Sequence, residues 1–418
     1  MNSLLTSLSM NQFKVKRSKN EFFHFKNAAD RLPFLSYSKS MGTPTTPMTW
    51  AGLTLFEVAI PLKKPFSTAT GSVAHRRLLM AHHEFKNGIT VWSECAAFER
   101  PTYTAETIDT AWLALTQWLG PTVMGKPWDH PTQVDGWLSW VHGHPMAKAT
   151  LEMAAWAAHA VRMGQPLAQL LGGTRDHISI GTAIGIQPDL GTLVETVQSA
   201  MDAGYVRVKV KIKPGDDRIP LQTLRATFGP SLPLMADANC AYTLADAGVF
   251  CDLDKLNLMM IEQPLGWNDQ YQHRLLQDHL QTPLCLDESI TSVTDVVLMH
   301  TLGSGRVVNL KPGRVGGFTQ SLRIHDYCLA HRIPMWCGGM LDSGIGRAYA
   351  QSLAALPGFT LPGDLSPADT YLQADLVTEP ARMDKDGRIA VNSTDAGLGV
   401  TIRETDIRAL AHRHERVT

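Results

Sequence analysis

The sequence predicts an α/β protein, a (β/α)8-type (modified TIM) barrel carrying an N-terminal α+β capping domain. Three observations predict it. Five ionisable residues, Lys211, Asp237, Glu262, Asp287 and Lys311, are separated by 26, 25, 25 and 24 residues, and each ends a short apolar run. A period of about 25 with chemistry at one phase is what strand-helix units produce when each delivers a side chain to the same rim. The chain has 418 residues, and a barrel of roughly 250 leaves enough for a second domain. Segments with strand and then helix patterning precede the first barrel unit.

Taken in order, residues 1–47 hold seven Lys or Arg against Glu21 and Asp30 and end in GTPTTP. No apolar core follows those charges, so a secretory signal is not expected, and the stretch is read as a disordered basic extension. Residues 48–171 form the expected cap. LTLFEVAIPL (53–62) and RLLMAHHEF (77–85) read as antiparallel strands, joined by a polar, glycine-bearing loop over 63–75 that could close on substrate. Leu151, Met153, Ala154, Trp156, Ala157 and Ala160 recur at helical spacing before Gly172-Gly173.

The barrel is expected over 172–375. ISIGTAIGI, VRVKVKI, LMADAN, LMMIEQP, LCLDES, VVNLKPG, PMWCGGML and FTLPGD supply eight strand candidates. Segments such as Leu221, Leu224 and Phe228 supply helical spacing between them, and alternation of that kind predicts parallel strands. Residues 376–418 are expected to pack back on the cap.

Composition excludes several classes. The net charge is -1, which leaves neither a basic footprint for nucleic acid nor an acidic tail. No apolar run approaches the ~18 residues of a membrane span. Six cysteines are scattered without CxxC pairs, as suits reduced thiols in the cytoplasm. The His residues show no HExxH pattern, and KPGRVGG lacks the spacing of a phosphate-binding loop.

Sorted by chemistry, the ladder describes a site. Asp237, Glu262 and Asp287 would bring three carboxylates into one small space, where they repel and raise one another's pKa. One divalent cation resolves that conflict, and oxygen-only ligands favour Mg²⁺ or Mn²⁺ over zinc. Such an ion binds a small-molecule carboxylate and stabilises charge that builds on it. Lys211 and Lys311 flank the trio on strands that face each other across a closed ring. A lysine near a metal and a second cation such as Lys209 can fall in pKa toward neutrality and act as a base. The constellation suits removal of a proton α to a carboxylate.

VKVKIKPG, ADANCAYT, IEQPL, CLDESI, NLKPGRVGG and WCGGMLDSGIGRA resemble the enolase superfamily, in particular the branch containing o-succinylbenzoate synthase and N-succinylamino acid (N-acylamino acid) racemase. The similarity runs from about Trp50 to about Gly399. It implies that Asp237, Glu262 and Asp287 hold the metal and that Lys211 and Lys311 are the acid/base pair. It further implies that Lys209 assists the substrate carboxylate, that Asn239 is a polar neighbour of the metal, and that Gly338, Gly339 and Met340 line the pocket. Arg314, after KPG, is common in branch members with racemase activity. PFSTATGSV and ECAAFERPTYT resemble the two cap loops that shape specificity. A homo-oligomer is expected, as such families often form dimers or octamers.

Three positions depart from the pattern: Asp342-Ser343 where Glu-Thr is common, Ala157-Ala158 after Trp156 where the helix usually reads WDL, and VWSE, ending at Glu94, in place of GWGE. The resemblance implies dehydration of a succinyl-hydroxycyclohexadiene carboxylate in menaquinone synthesis, with one lysine moving the proton. Racemisation of N-acylamino acids by both lysines is the alternative. A barrel without catalysis is disfavoured by the intact ladder, and a dehydratase with a His-Asp dyad by the lack of His in WCGGML.

Overall fold

The computed structural model describes residues 46–417. The basic extension read over 1–47 lies, apart from its last two residues, outside them. The described chain begins with the cap strands β1 (Met48–Thr68), β2 (Gly71–Phe85) and β3 (Thr90–Cys95), followed by the two-residue β4 (Pro127–Trp128). Along β1, Val58, Ile60 and Leu62 are buried while Ala59, Pro61 and Lys63 are exposed, the period of two of a strand with one face on a core.

The expected loop over 63–75 is instead the tip of a long hairpin. Phe66 pairs with Val73, Ser67 with Ser72 and Thr68 with Gly71. Phe, Thr and Val favour the extended backbone, and Gly71 takes φ 136° at the turn. Toward the tip the ladder is interrupted between Pro61 and Phe66, where Pro65 has no N–H to donate. The tip is anchored by two later segments: the Ile186 amide donates to the Ser67 carbonyl at 2.9 Å, and the Phe66 ring meets Tyr371 edge-on at 6.0 Å.

The helix Pro145–Met163 is buried along most of its length and ends at Gly164, φ 65°. Its first amides, Met146 and Ala147, donate to the Glu106 carboxylate at 2.7 and 2.8 Å. The predicted strand ISIGTAIGI is two strands, β5 (His177–Ser179) and β6 (Thr182–Ile184). They part at Gly181, where a Cβ would overlap the Arg207 guanidinium.

From β6 the chain builds a parallel sheet through β7 (Val208–Lys211), β8 (Leu234–Asp237), β9 (Ile261–Glu262), β10 (Leu284–Leu286), β11 (Val307–Leu310) and β12 (Met335–Cys337). Seven strands pair in sequence order, with a helix after each of β6 to β12. Lys211 is directly paired with Asp237, and Asp237 with Glu262, so the register carries the ladder across the sheet.

FTLPGD, the eighth candidate, forms no ladder. Phe359 bridges Met335 and Gly363 bridges Ile180, so this segment touches β12 and the link between β5 and β6, and Pro362 within it withholds the amide a ladder would need.

β13 (Arg388–Ala390) pairs antiparallel with β5, and β14 (Ala411–Val417) pairs antiparallel with β1, giving the cap order β14-β1-β2-β3. The six cysteines are free. Among the described residues no helix is long and apolar enough to cross a membrane.

Candidate active site

The ends of β7 to β11 bring the ladder together. Lys209 and Lys211 share one face of β7. The Lys209 ammonium lies 2.5 Å from Asp364 Oδ2, 2.9 Å from Glu262 Oε2 and 3.1 Å from Asp237 Oδ2. Lys211 Nζ donates to Asp237 Oδ2 at 2.6 Å and to Asn239 Oδ1 at 2.7 Å. Lys311 Nζ donates to Asp287 Oδ2 at 2.8 Å and to the Tyr103 hydroxyl at 3.0 Å.

These groups are buried, and their charges depend on one another. Burial opposes the charge of Asp237, but Lys211 and Lys209 overcome it and hold the carboxyl low. Against the same burial, Asp364, Glu262 and Asp237 hold Lys209 well above its ordinary range. Glu262 bears the cost of the crowd: burial and then Asp237 push its carboxyl up to about 8. At Lys311 burial acts to lower the ammonium, but Asp287 outweighs it and raises it.

Among the described residues no three His, Cys, Asp or Glu side chains gather into a set able to hold a metal ion. The carboxylates are instead divided between ammonium groups: Asp237 and Glu262 turn to Lys209, while Asp287 turns to Lys311 and Arg314. The donor set nevertheless fits a hard divalent cation. Two carboxylate oxygens already converge on a single positive charge, the third comes from the adjacent strand end, and Glu262 is raised partly by Asp237 and Asp287.

A cavity of about 350 Å³ opens above these groups. Lys209, Lys211, Asn239, Lys311, Gly339 and Met340 line it from the barrel. Arg314 and Gly338 do not. Arg314 is fully buried behind Asp287, bonded to that carboxylate, to the Tyr103 hydroxyl at 2.9 Å and to the Ile290 carbonyl at 2.7 Å. Gly338 leaves room for Lys311, because a Cβ there would overlap Asn309 Oδ1 and Lys311 Cε.

Several participants escaped the sequence reading. Tyr103, from the cap loop 97–104, donates to Asp287 Oδ1 at 2.9 Å, and Lys311 Nζ lies 4.4 Å over its ring. Asn309, inside β11, donates to Glu262 Oε1 at 2.6 Å. Asp364 pairs with Lys209 and Arg207. It stands 53 residues beyond Lys311, about two further periods, so the ladder itself was the signal for it. Two of the departures meet each other: Glu94 accepts from the Ser343 amide at 3.1 Å and from its hydroxyl, and burial followed by Asp342 raises Glu94 to about 8.

Comparison with known proteins agrees with this geometry. Residues 50–172 match the mandelate racemase / muconate lactonizing enzyme N-terminal domain, and residues 192–406 match the enolase C-terminal domain-like family. The chain is 44% identical over 356 residues to an o-succinylbenzoate synthase of Bacillus subtilis (strain 168), covering 85% of this chain and 95% of that protein. It is 41% identical over 353 residues to an N-succinylamino acid racemase of an Amycolatopsis species, covering 84% and 95%. A solved structure of an enolase superfamily member from Listeria innocua superposes with a TM-score of 0.85 at 38% identity, covering 88% of this chain and 99% of that one.

Proposed function

This chain belongs to the enolase superfamily, and from that premise we propose that it is an o-succinylbenzoate synthase whose two lysines also racemise N-succinylamino acids. The observation that carries the proposal is that Lys211 and Lys311, from separate strand ends, both line one cavity, Lys211 paired with Asp237 and Lys311 with Asp287. Relatives at 44% and 41% identity bear the two names.

Asp237, Glu262 and Asp287 would hold one divalent cation, Mg²⁺ or Mn²⁺. When bound, that ion supplies Lewis-acid charge at the substrate carboxylate and takes up carboxylate charge now balanced by lysine. Lys211, as the free amine, takes the proton α to the carboxylate, and the electron pair passes to the carboxylate as an enediolate. Lys209 and Lys311, as ammonium groups, stabilise that charge. The pair then returns to form the ring double bond as hydroxide leaves, taking up a proton to depart as water. For an N-succinylamino acid nothing leaves, and a proton delivered by Lys311 to the opposite face inverts the centre. The presence of a lysine from each strand end in one cavity favours this second reaction beside the first.

The cap at 48–171, the barrel at 172–375, closed as a modified (β/α)8 ring through the bridges at Phe359 and Gly363, and a homo-oligomer working in the cytoplasm form part of the same proposal. Comparing kcat/KM on the cyclohexadiene carboxylate and on N-succinylamino acids tests it. Turnover of the first is expected to be lost in Lys211→Ala. Activity of that variant above a few per cent of wild type would remove Lys211 as the base.

A further inference from the structure

Glu288 belongs to neither the carboxylate trio nor the lysine pair, yet it reaches Lys211 through one intermediary. It is 5% exposed and lines the cavity. Its Oε1 accepts from Asn239 Nδ2 at 3.1 Å, and its Oε2 has no hydrogen-bond partner. The other end of the Asn239 carboxamide, Oδ1, accepts from Lys211 Nζ at 2.7 Å.

A carboxamide has a donor end and an acceptor end, and nothing intrinsic selects which faces the lysine. As a carboxylate Glu288 accepts from Asn239, so it draws the NH₂ group and leaves the oxygen for Lys211. Without it, a flip of the amide would set two donors, NH₂ and ammonium, against each other. The backbone cooperates: Asn239 sits at φ 42°, and its amide donates to Asp237 Oδ1 at 3.1 Å. Lys311 is held by different groups, Asp287 and Tyr103.

We propose that Glu288 is a positioning residue for proton transfer at Lys211, acting through the Asn239 carboxamide and serving one face of the substrate only. This rests on the reading of Lys211 and Lys311 as bases for opposite faces.

The test is deuterium exchange at the α-carbon of each enantiomer of N-succinylphenylalanine in D₂O with Mg²⁺, followed by proton NMR. Lys211→Ala identifies the enantiomer that Lys211 serves. Glu288→Ala and Asn239→Gly are each expected to slow exchange of that enantiomer by about 10- to 100-fold, the cost of a misplaced reacting group. The other enantiomer should stay within about threefold. Glu288→Gln keeps an acceptor for Asn239 while removing the charge, and is expected to restore most of the lost rate. The double variant Glu288→Ala/Asn239→Gly should lose no more than either single one.

Equal slowing of both enantiomers, or none, overturns the inference while leaving the two-lysine reading intact. Wild-type exchange of neither enantiomer overturns that reading and the inference with it. Asn239→Gly tolerates the positive φ, so it remains informative if Glu288→Ala does not fold.

Discussion

His83 shows how far a single side chain can be followed from hydrogen bonds to a pH profile. Trp50 Nε1 donates to its Nδ1 at 3.2 Å, its Nε2 lies 2.8 Å from Ser93 Oγ, and that hydroxyl donates to the Thr150 carbonyl at 2.8 Å. The chain of donors fixes a neutral imidazole with the proton on Nε2. Burial, and then His82, depress its pKa to about 3. The unfolded chain takes up a proton near pH 6.5 and the folded one does not, so this contribution to stability is complete above pH 6.5 and is lost as pH falls toward 3. Between pH 7 and 4.5 the loss amounts to about 2 to 3 kcal/mol. Denaturant midpoints should therefore fall over that interval in the wild type and fall less in His83→Met, measured relative to each protein's own value at pH 7. An unchanged slope would show that the imidazole does not stay neutral. None of this was legible in the sequence, where His83 is one of 16 His residues and its partners lie on other strands and on a helix. The ladder was legible because strand period and chemistry coincided. Tyr103 was not, because a cap loop has no period to place it against Asp287.

At the scale of elements, buried carboxylates join the cap to the barrel by gripping helix N-termini. Gly317, at φ 113°, precedes the helix Phe318–His331 and has no side chain with which to cap it. Glu152, from the cap helix, accepts from the amides of Phe318 at 2.7 Å and Thr319 at 2.9 Å, and from Trp156 Nε1 at 2.7 Å. Glu94, from β3, does the same at Ser343 and Gly346, at the start of the helix Gly344–Ala354. The carboxyl oxygens meet amides that have no partner within the helix. Glu152→Ala strands those donors in the interior and should cost about 3 kcal/mol or more, since each buried unsatisfied group costs roughly 1 to 3. Thermal unfolding measures the loss. A Tm within about 2 °C of wild type would mean that Glu152 is not the joint described. The helical spacing around Trp156 was readable from sequence, but the grip was not, because it depends on a glycine 165 residues further on. The 63–75 hairpin was misread for a related reason: polar residues that suggest a loop pair well as strands when later segments anchor the tip.

For the molecule as a whole, the candidate-site cavity lies between the cap strands and the parallel sheet. Thr70 and Arg100 reach it from one side, and Lys211 and Met340 from the other. A ligand bound there touches both parts, so it should stabilise them together. Three buried carboxylates around Lys209 add a built-in penalty, visible in the raised Glu262, that a divalent cation would relieve. Binding to the folded state alone contributes RT ln(1 + [L]/Kd), about 2.7 kcal/mol at a hundredfold excess over Kd. At 418 residues that corresponds to a rise in Tm of a few degrees, since ΔS of unfolding grows with chain length. Mg²⁺ or Mn²⁺ should produce such a rise, EDTA should reverse it, and a carboxylate product added with the metal should raise it further. Glu262→Gln should abolish the metal-dependent shift, because it removes one of the three carboxylates that would hold the ion. Activity indifferent to EDTA, together with a Tm indifferent to Mg²⁺ and Mn²⁺, would mean that the lysines, and not a metal, are what the carboxylates serve.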